Sequence, residues 1–297
     1  MNVTGACQTR LVTYLDAQLA RYRAELEDAG LGRRADVLCE AALPSIRLTA
    51  DGEIDAMATG VSRLGGSPDL LPGVPWPADD DGTPLSFIAQ LEMRQVAAHG
   101  AQETLPRTGL LSFFYAAASQ QAWGFDPADC GAWAVLYTAD GAAARPRKAP
   151  GAVPAAGRFA AVGLAADPEL TFVPWESFVA ESLMTREEIG VYAEVLPPGD
   201  PVIHRLLGHP DPVQGDMQLE CQLATNGVYC GDGSSSRDPR TARLRPGAMD
   251  WRLLMQVDSQ DEAGMMWGDV GRLYYWIRQE DLTAGRWDRT WLILQCG

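Results

Sequence analysis

From Leu11 onward, apolar residues recur at spacings of 4, 4, 3 and 4 (Leu11, Leu15, Leu19, Tyr22, Leu26), which is one stripe of an α-helix. Gly30 follows where a left-handed C-cap ends such a helix. A second, shorter helix is predicted over Ala35–Leu43 and stops before Pro44. The pair reads as a helical hairpin laid on a sheet. After Pro44 the period shortens, and β-type runs alternate with Gly/Pro punctuation. Predicted strands are Ile46–Ala50, Leu85–Met93, Gly109–Ala116, Ala132–Thr138, Phe159–Ala165, Leu170–Pro174, Trp251–Asp258, Gly271–Arg278 and Thr290–Cys296. Thr185 and Glu188 form a capping box before a helix ending at Leu196, and Asp216 is placed to cap Met217–Ala224.

The polar residues inside this pattern repeat. Arg63-Leu-Gly-Gly-Ser-Pro-Asp69 matches Arg205-Leu-Leu-Gly-His-Pro-Asp211, and Phe87–Met93 matches Leu253–Ser259. Gly109–Phe114 then matches Gly271–Trp276, and Trp133–Leu136 matches Trp291–Leu294. The blocks keep their order, at gaps of 27, 19 and 24 residues in the first copy and 51, 15 and 20 in the second. Such a period is too long for a solenoid and implies two related halves. The expected fold is therefore α+β and strand-rich, with two related antiparallel β halves. The units are residues 1–43 (helical hairpin), 44–198 and 199–297.

Composition narrows the function classes. Of 297 residues, 24 are basic and 39 acidic, a formal charge of −15 that argues against nucleic-acid binding. Lys148 is the only lysine and sits in a Pro-rich stretch, so Schiff-base chemistry has little to rest on. The acid excess concentrates in residues 51–100 and 151–200, each with eight acids and two bases. A basic protein is the partner these would suit, for example a toxin that the chain neutralises. The six cysteines include no Cys-x-x-Cys pair, no apolar run is long enough to span a bilayer, and the first residues lack a leader pattern. A cytoplasmic protein with buried free thiols and no membrane association is expected.

Gly65-Gly-Ser-Pro-Asp-Leu-Leu-Pro72, Trp76-Pro77 and Pro84-Leu-Ser-Phe-Ile-Ala-Gln-Leu91 together resemble the opening of the YwqG-like family, a bacterial domain of unknown function. His204–Asp216 and Met266–Trp276 are similar to that family's later blocks, so the resemblance covers roughly residues 43–296. It implies a mixed, strand-rich fold with a duplicated core, and no catalytic residues.

Candidate chemistry centres on the repeated strand. Gln90 and Glu92 share one strand face, as do Gln256 and Asp258. If the two pairs converge, they suit a divalent cation or a carboxylate acid–base pair; otherwise each pair closes a strand end. Arg63, Arg205, Trp76, Trp267 and Asp269 complete the ligand-binding candidates. His204, His209 and Asp216 are the metal candidates, although the two imidazoles lack the i, i+4 spacing of a helical zinc motif. No cofactor motif is present: Gly231–Ser236 lacks the lysine and the strand–helix context of a phosphate loop. The reading that follows is a non-catalytic binding module with an acidic surface. The alternative is a carboxylate-based, metal-dependent enzyme with its cleft between the repeats.

Overall fold

The computed structural model describes residues 3–99, 104–197 and 199–297, and of residues 3–12 only the backbone. The strands are β1 (Leu43–Glu53), β2 (Arg63–Leu64), β3 (Asp69–Leu70), β4 (Ser86–Glu92), β5 (Leu110–Tyr115), β6 (Trp133–Thr138), β7 (Arg145–Pro146), β8 (Val162–Thr171), β9 (His204–Leu206), β10 (Trp251–Asp258), β11 (Arg272–Arg278) and β12 (Trp291–Gln295). The α-helices are α1 (Val3–Asp28), α2 (Ala35–Ala41), α3 (Met93–Ala98), α4 (Phe178–Leu183), α5 (Arg186–Val195), α6 (Gln218–Ala224), α7 (Thr241–Leu244) and α8 (Gln279–Ala284).

Ten strands form one sheet in the order β12-β11-β10-β9-β1-β8-β2-β4-β5-β6, and every neighbouring pair is antiparallel. The sheet curls until its two edges nearly meet, giving an almost barrel-shaped body. At the seam the Trp133 and Trp291 rings lie edge to face, 4.8 Å apart. Trp133 Nε1 donates to Thr290 O at 3.0 Å, and Leu294 N donates to Trp123 O at 3.0 Å. The interior is filled from both edges at once, as where Phe113 of β5 meets Tyr275 of β11 at 5.0 Å. Apolar burial at about 25 cal/mol per Å² makes this shared core the main stabilising term.

The long pair β1–β8 lies at the middle of the sheet. The two runs expected as separate strands, Phe159–Ala165 and Leu170–Pro174, are in fact joined in β8. Pro168 is tolerated there because it faces β1 at Ile46, while β2 reaches only Val162 and Gly163. Strands β2 and β9 escape a periodicity reading because they are two and three residues long, with buried Arg63, His204 and Arg205 in them.

Helices α1 and α2 form a second, smaller core with the loop after β8 and with α4 and α5. Tyr22 and Leu26 are buried, and the Tyr22 hydroxyl shares a 2.8 Å hydrogen bond with that of Tyr192, which donates to Val173 O. Leu11, the first residue of the predicted stripe, lies outside the described side chains. Helix α2 ends two residues earlier than expected, at Ala41, because Ala42 is already extended ahead of β1. The capping box of α5 is formed as read. No helix among the described residues is long and apolar enough to cross a membrane.

Candidate functional site

Each repeated glutamine staples a turn. Arg63 of β2 stands opposite Gln90 of β4, and Arg205 of β9 stands opposite Gln256 of β10. After β2 the chain turns through Gly65 (φ +57°) and Gly66 (φ +72°); after β9 it turns through Leu207 (φ +61°) and Gly208 (φ +77°). Gln90 Oε1 accepts from Asp69 N at 2.7 Å, and its Nε2 donates to Val61 O at 3.2 Å. Gln256 Oε1 accepts from Asp211 N at 2.9 Å, and its Nε2 donates to Ile203 O at 3.0 Å. A buried side-chain amide fits this task because it offers a donor and an acceptor to two backbone groups that lie beyond strand pairing.

The acids beside them are also held locally. Glu92 caps α3, accepting from Gln95 N at 2.9 Å. Asp258 accepts from Ile203 N, Ser259 N and Arg272 Nε, at 2.8, 2.8 and 2.7 Å. Four strands lie between β4 and β10. Each acid is taken up by its own neighbours, and no hydrogen bond or metal-ligating group joins Glu92 to Asp258 among the described residues.

The two arginines diverge, and that divergence locates the site. Arg63 and Asp69 form a fully buried pair at 2.8 Å, with both side chains 0% exposed. Arg205 does not reach the corresponding Asp211, which Arg272 takes at 2.5 Å. Arg205 instead forks onto Glu169 of β8 through Nε and Nη2, at 2.7 and 2.9 Å. Arg47 of β1 adds a 3.1 Å bond to the same carboxylate and pairs with Asp200. Burial raises the Glu169 carboxyl, but the hydrogen bonds and charge of Arg205, aided by Ser45 and Arg47, outweigh it and hold the group below its usual range.

These residues floor a cleft of about 430 Å³, walled by the loop after β8, the end of α5 and the His209–Pro212 turn. Its charged lining is Arg47 and Arg205 against Glu169, Glu176, Asp200 and Asp211. The arginines are spoken for, and Glu176 makes no ion pair among the described residues. Beside it Trp175 is 45% exposed although a large aromatic side chain is ordinarily covered. The cleft is thus a negative recess with an uncovered indole at its rim.

His209 lines the same cleft and shares a 2.7 Å hydrogen bond with Ala41 O, so Nε2 is the donor. Burial pushes its imidazole down to about 4, against the opposing pull of that carbonyl. The folded ring binds a proton less readily than the unfolded one, so this contribution is intact above about 6.5 and is lost as pH falls toward 4. In urea titrations His209→Gln is expected to flatten the loss of stability between about pH 7 and pH 4.5; a parallel pH curve for the variant would refute the assignment.

The remaining candidates are dispersed. Trp76 is partly buried against Phe114 and donates to Leu85 O at 2.8 Å. Trp267 is 0% exposed and donates to Asp258 O at 3.1 Å, inside the barrel. Asp269 is exposed and makes no ion pair among the described residues. His204 is buried, with Nε2 on Gln260 Oε1 at 2.8 Å and Nδ1 accepting from Asp258 N at 3.1 Å; burial lowers its pKa. Asp216 accepts from Gln218 N, although Met217 occupies the cap position of α6. Among the described residues, no group of three or more His, Cys, Asp or Glu side chains is placed to hold a metal ion. Arg47, Glu169 and Glu176 are the cleft residues that sequence reasoning passed over. Only the β1–β8 register brings the first two together, whereas Trp175-Glu176 between Pro174 and the α4 cap was a readable signal.

Comparison with family models gives a match over residues 62–296 to a domain of unknown function, DUF1963. The chain belongs to the DUF1963 family. Among curated proteins no match is found. The DUF1963 span takes in β2 to β12 and leaves out α1, α2 and β1. Strand β1 nevertheless lies inside the sheet and supplies Arg47 to the cleft, so a segment outside the matched span completes this site.

Proposed function

We propose that this DUF1963 protein is a non-catalytic binding module that receives a cationic segment of a basic protein in the cleft at Trp175 and Glu176. The observation that carries the reading is the exposed indole beside a carboxylate with no ion pair among the described residues, in a recess whose own arginines are already neutralised. An incoming guanidinium or ammonium would stack on Trp175, worth about 0.5–2 kcal/mol, and face Glu176. The net charge of −15 would steer such a partner toward the protein. An immunity-like role against a basic toxin is one biological form of this reading.

We also read the two strand groups as products of an internal duplication. Support comes from the matched turns, the matched glutamine staples and the matched arginine–glutamine registers. The motifs that resemble the YwqG-like family fall inside the DUF1963 span, which fits one kinship. On this view the second copy departed from the first where Arg205 left Asp211 for Glu169, and the cleft lies at that departure.

Calorimetric titration with an arginine-rich peptide tests the binding reading. Trp175→Ala is expected to weaken binding by roughly three- to tenfold. Glu176→Gln should lower it further and reduce its salt dependence. The exposed acid Glu40 on α2 serves as a control, because any acidic protein attracts a polycation. Equal affinities for Trp175→Ala, Glu176→Gln, Glu40→Gln and the wild type would sink the proposal.

A further inference from the structure

The two strand groups match in more than their glutamine staples. The register of β4 against β5 slips between Phe87 and Ala89, and that of β10 against β11 slips between Leu253 and Met255. At these bulges Phe87 stands opposite Phe114, and Leu253 stands opposite Trp276, each pair on one face of the sheet. Leu85 joins the first pair in a small core, and Trp251, two residues before Leu253, lines a cavity with the second. The match is one of register and holds whatever the history of the two halves.

In the first half an indole closes this face. Trp76 meets Phe114 edge to face at 5.6 Å and donates to Leu85 O at 2.8 Å. The second half keeps the hydrogen bond and lacks the ring: Gln218 Nε2 donates to Trp251 O at 2.8 Å. Between Asp211 and Trp251 the only aromatic residue is Tyr229, which is 40% exposed and meets Phe125 instead. What remains beside Leu253 and Trp276 is a cavity of about 230 Å³, walled by Val179, Pro212 and Met217, with the exposed Met249 at its rim.

The lining selects a neutral guest. Ser177 Oγ accepts from Ala180 N, Asp216 accepts from Gln218 N, and His209 is bound to Ala41 O. Arg252 donates to Met249 O, Trp251 O and Gln279 Oε1, and the Asp250 carboxylate acts on its charge. Trp251 Nε1 donates to Gln222 Oε1 at 3.1 Å. Among the described residues of the lining, the one buried side-chain polar atom without a partner is Trp276 Nε1, on a residue 2% exposed. Buried donors left without an acceptor are few in folded proteins. An apolar cavity of about 150 Å³ is enough to take benzene, so this one has room for a ring and a short substituent.

We propose that this cavity binds a small neutral aromatic molecule with one hydrogen-bond acceptor, its ring filling the space that Trp76 fills in the first half and its acceptor on the Trp276 indole N–H. Two tryptophans and two thioethers favour an aromatic ring over an aliphatic body of the same size. The cavity shares with the Trp175 cleft only the wall formed by Pro174, His209, Pro210 and Pro212, and the proposal stands whether or not a cationic partner binds in that cleft.

Acetophenone is the probe, followed by calorimetry and by the ¹H–¹⁵N indole resonances of the full chain, with Trp276 assigned from Trp276→Phe. Millimolar acetophenone is expected to bind and to move the Trp276 indole proton downfield, as a newly gained hydrogen bond does. Benzoate keeps the ring and adds a charge; cyclohexyl methyl ketone keeps the acceptor and loses the aromatic ring. Each is expected to bind about tenfold more weakly or worse. Met217→Trp supplies the missing ring from inside and is expected to abolish binding. Met249→Trp does so from the exposed rim, with a loss of about tenfold or more, and leaves the buried packing intact should Met217→Trp not fold. The proposal is overturned if acetophenone leaves the Trp276 resonance in place. Wild-type affinity in Met249→Trp, or equal binding of benzoate or of the cyclohexyl ketone, would overturn it as well.

Discussion

Asp69→Ala is expected to lower the unfolding free energy by about 3–5 kcal/mol. Its partner Arg63 is fully buried, and burial already pulls the guanidinium pKa down against the restoring influence of Asp69. Asp69 Oδ2 also accepts from Gly60 N and Gln90 Nε2, each at 2.8 Å, so the carboxylate gathers a loop, a strand and the staple at one point. Removing it leaves an uncompensated cation and two unmet donors in the interior. The wild-type pair is itself imperfect, with Arg63 Nε and Asp69 Oδ1 both unpartnered. The double variant Arg63→Met/Asp69→Leu is therefore expected to recover the part of the loss that comes from the uncompensated cation, since apolar residues of similar volume commonly replace buried ion pairs without penalty. Urea unfolding of the two single variants and the double variant decides this. Additive losses in the double variant would show that the pair is not the unit argued for.

Gly124→Ala is expected to cost about 3 kcal/mol or more, by a different route. Gly124 has φ +86°, and a Cβ built there would stand 1.9 Å from Leu292 O, a backbone atom of β12. The same glycine accepts from Trp291 Nε1 at 2.8 Å and donates to Asp129 Oδ2 at 2.8 Å. It therefore sits where the first strand group is sewn to the last strand. Gly73, at φ +83° with nothing within 4 Å of its would-be Cβ, isolates the backbone component. Gly73→Ala should cost only about 1–2 kcal/mol. If the two substitutions proved equal in urea titration, the close approach at the barrel seam would not be the cause.

The repeated polar residues were readable as pattern and not as role. Gln90 and Gln256 stood out because polar residues recur at the same depth in two apolar strands, and the structure shows them bonding the turns at Val61–Asp69 and Ile203–Asp211. Whether they faced ligand or backbone depended on what lay across the sheet, which local spacing does not encode. Trp267 and Trp175 each sit in a short punctuated run of sequence, yet one is sealed inside the barrel and the other is exposed. Their difference arises from the curl of a ten-stranded sheet, a sum of twists over residues far apart.

The sequence by itself determined the helical stripe ending at Gly30, the capping box at Thr185, most of the strands and the recurring blocks, because each is set by neighbours within a few residues. Only the tertiary structure decided that β1 lies beside β9, that β8 is continuous through Pro168, and that Arg205 turns to Glu169 while Arg63 keeps Asp69. The pairings of β1 with β8 and β9 join positions more than 100 residues apart, and in the assembled sheet register and burial, not propensity, choose each charge's partner.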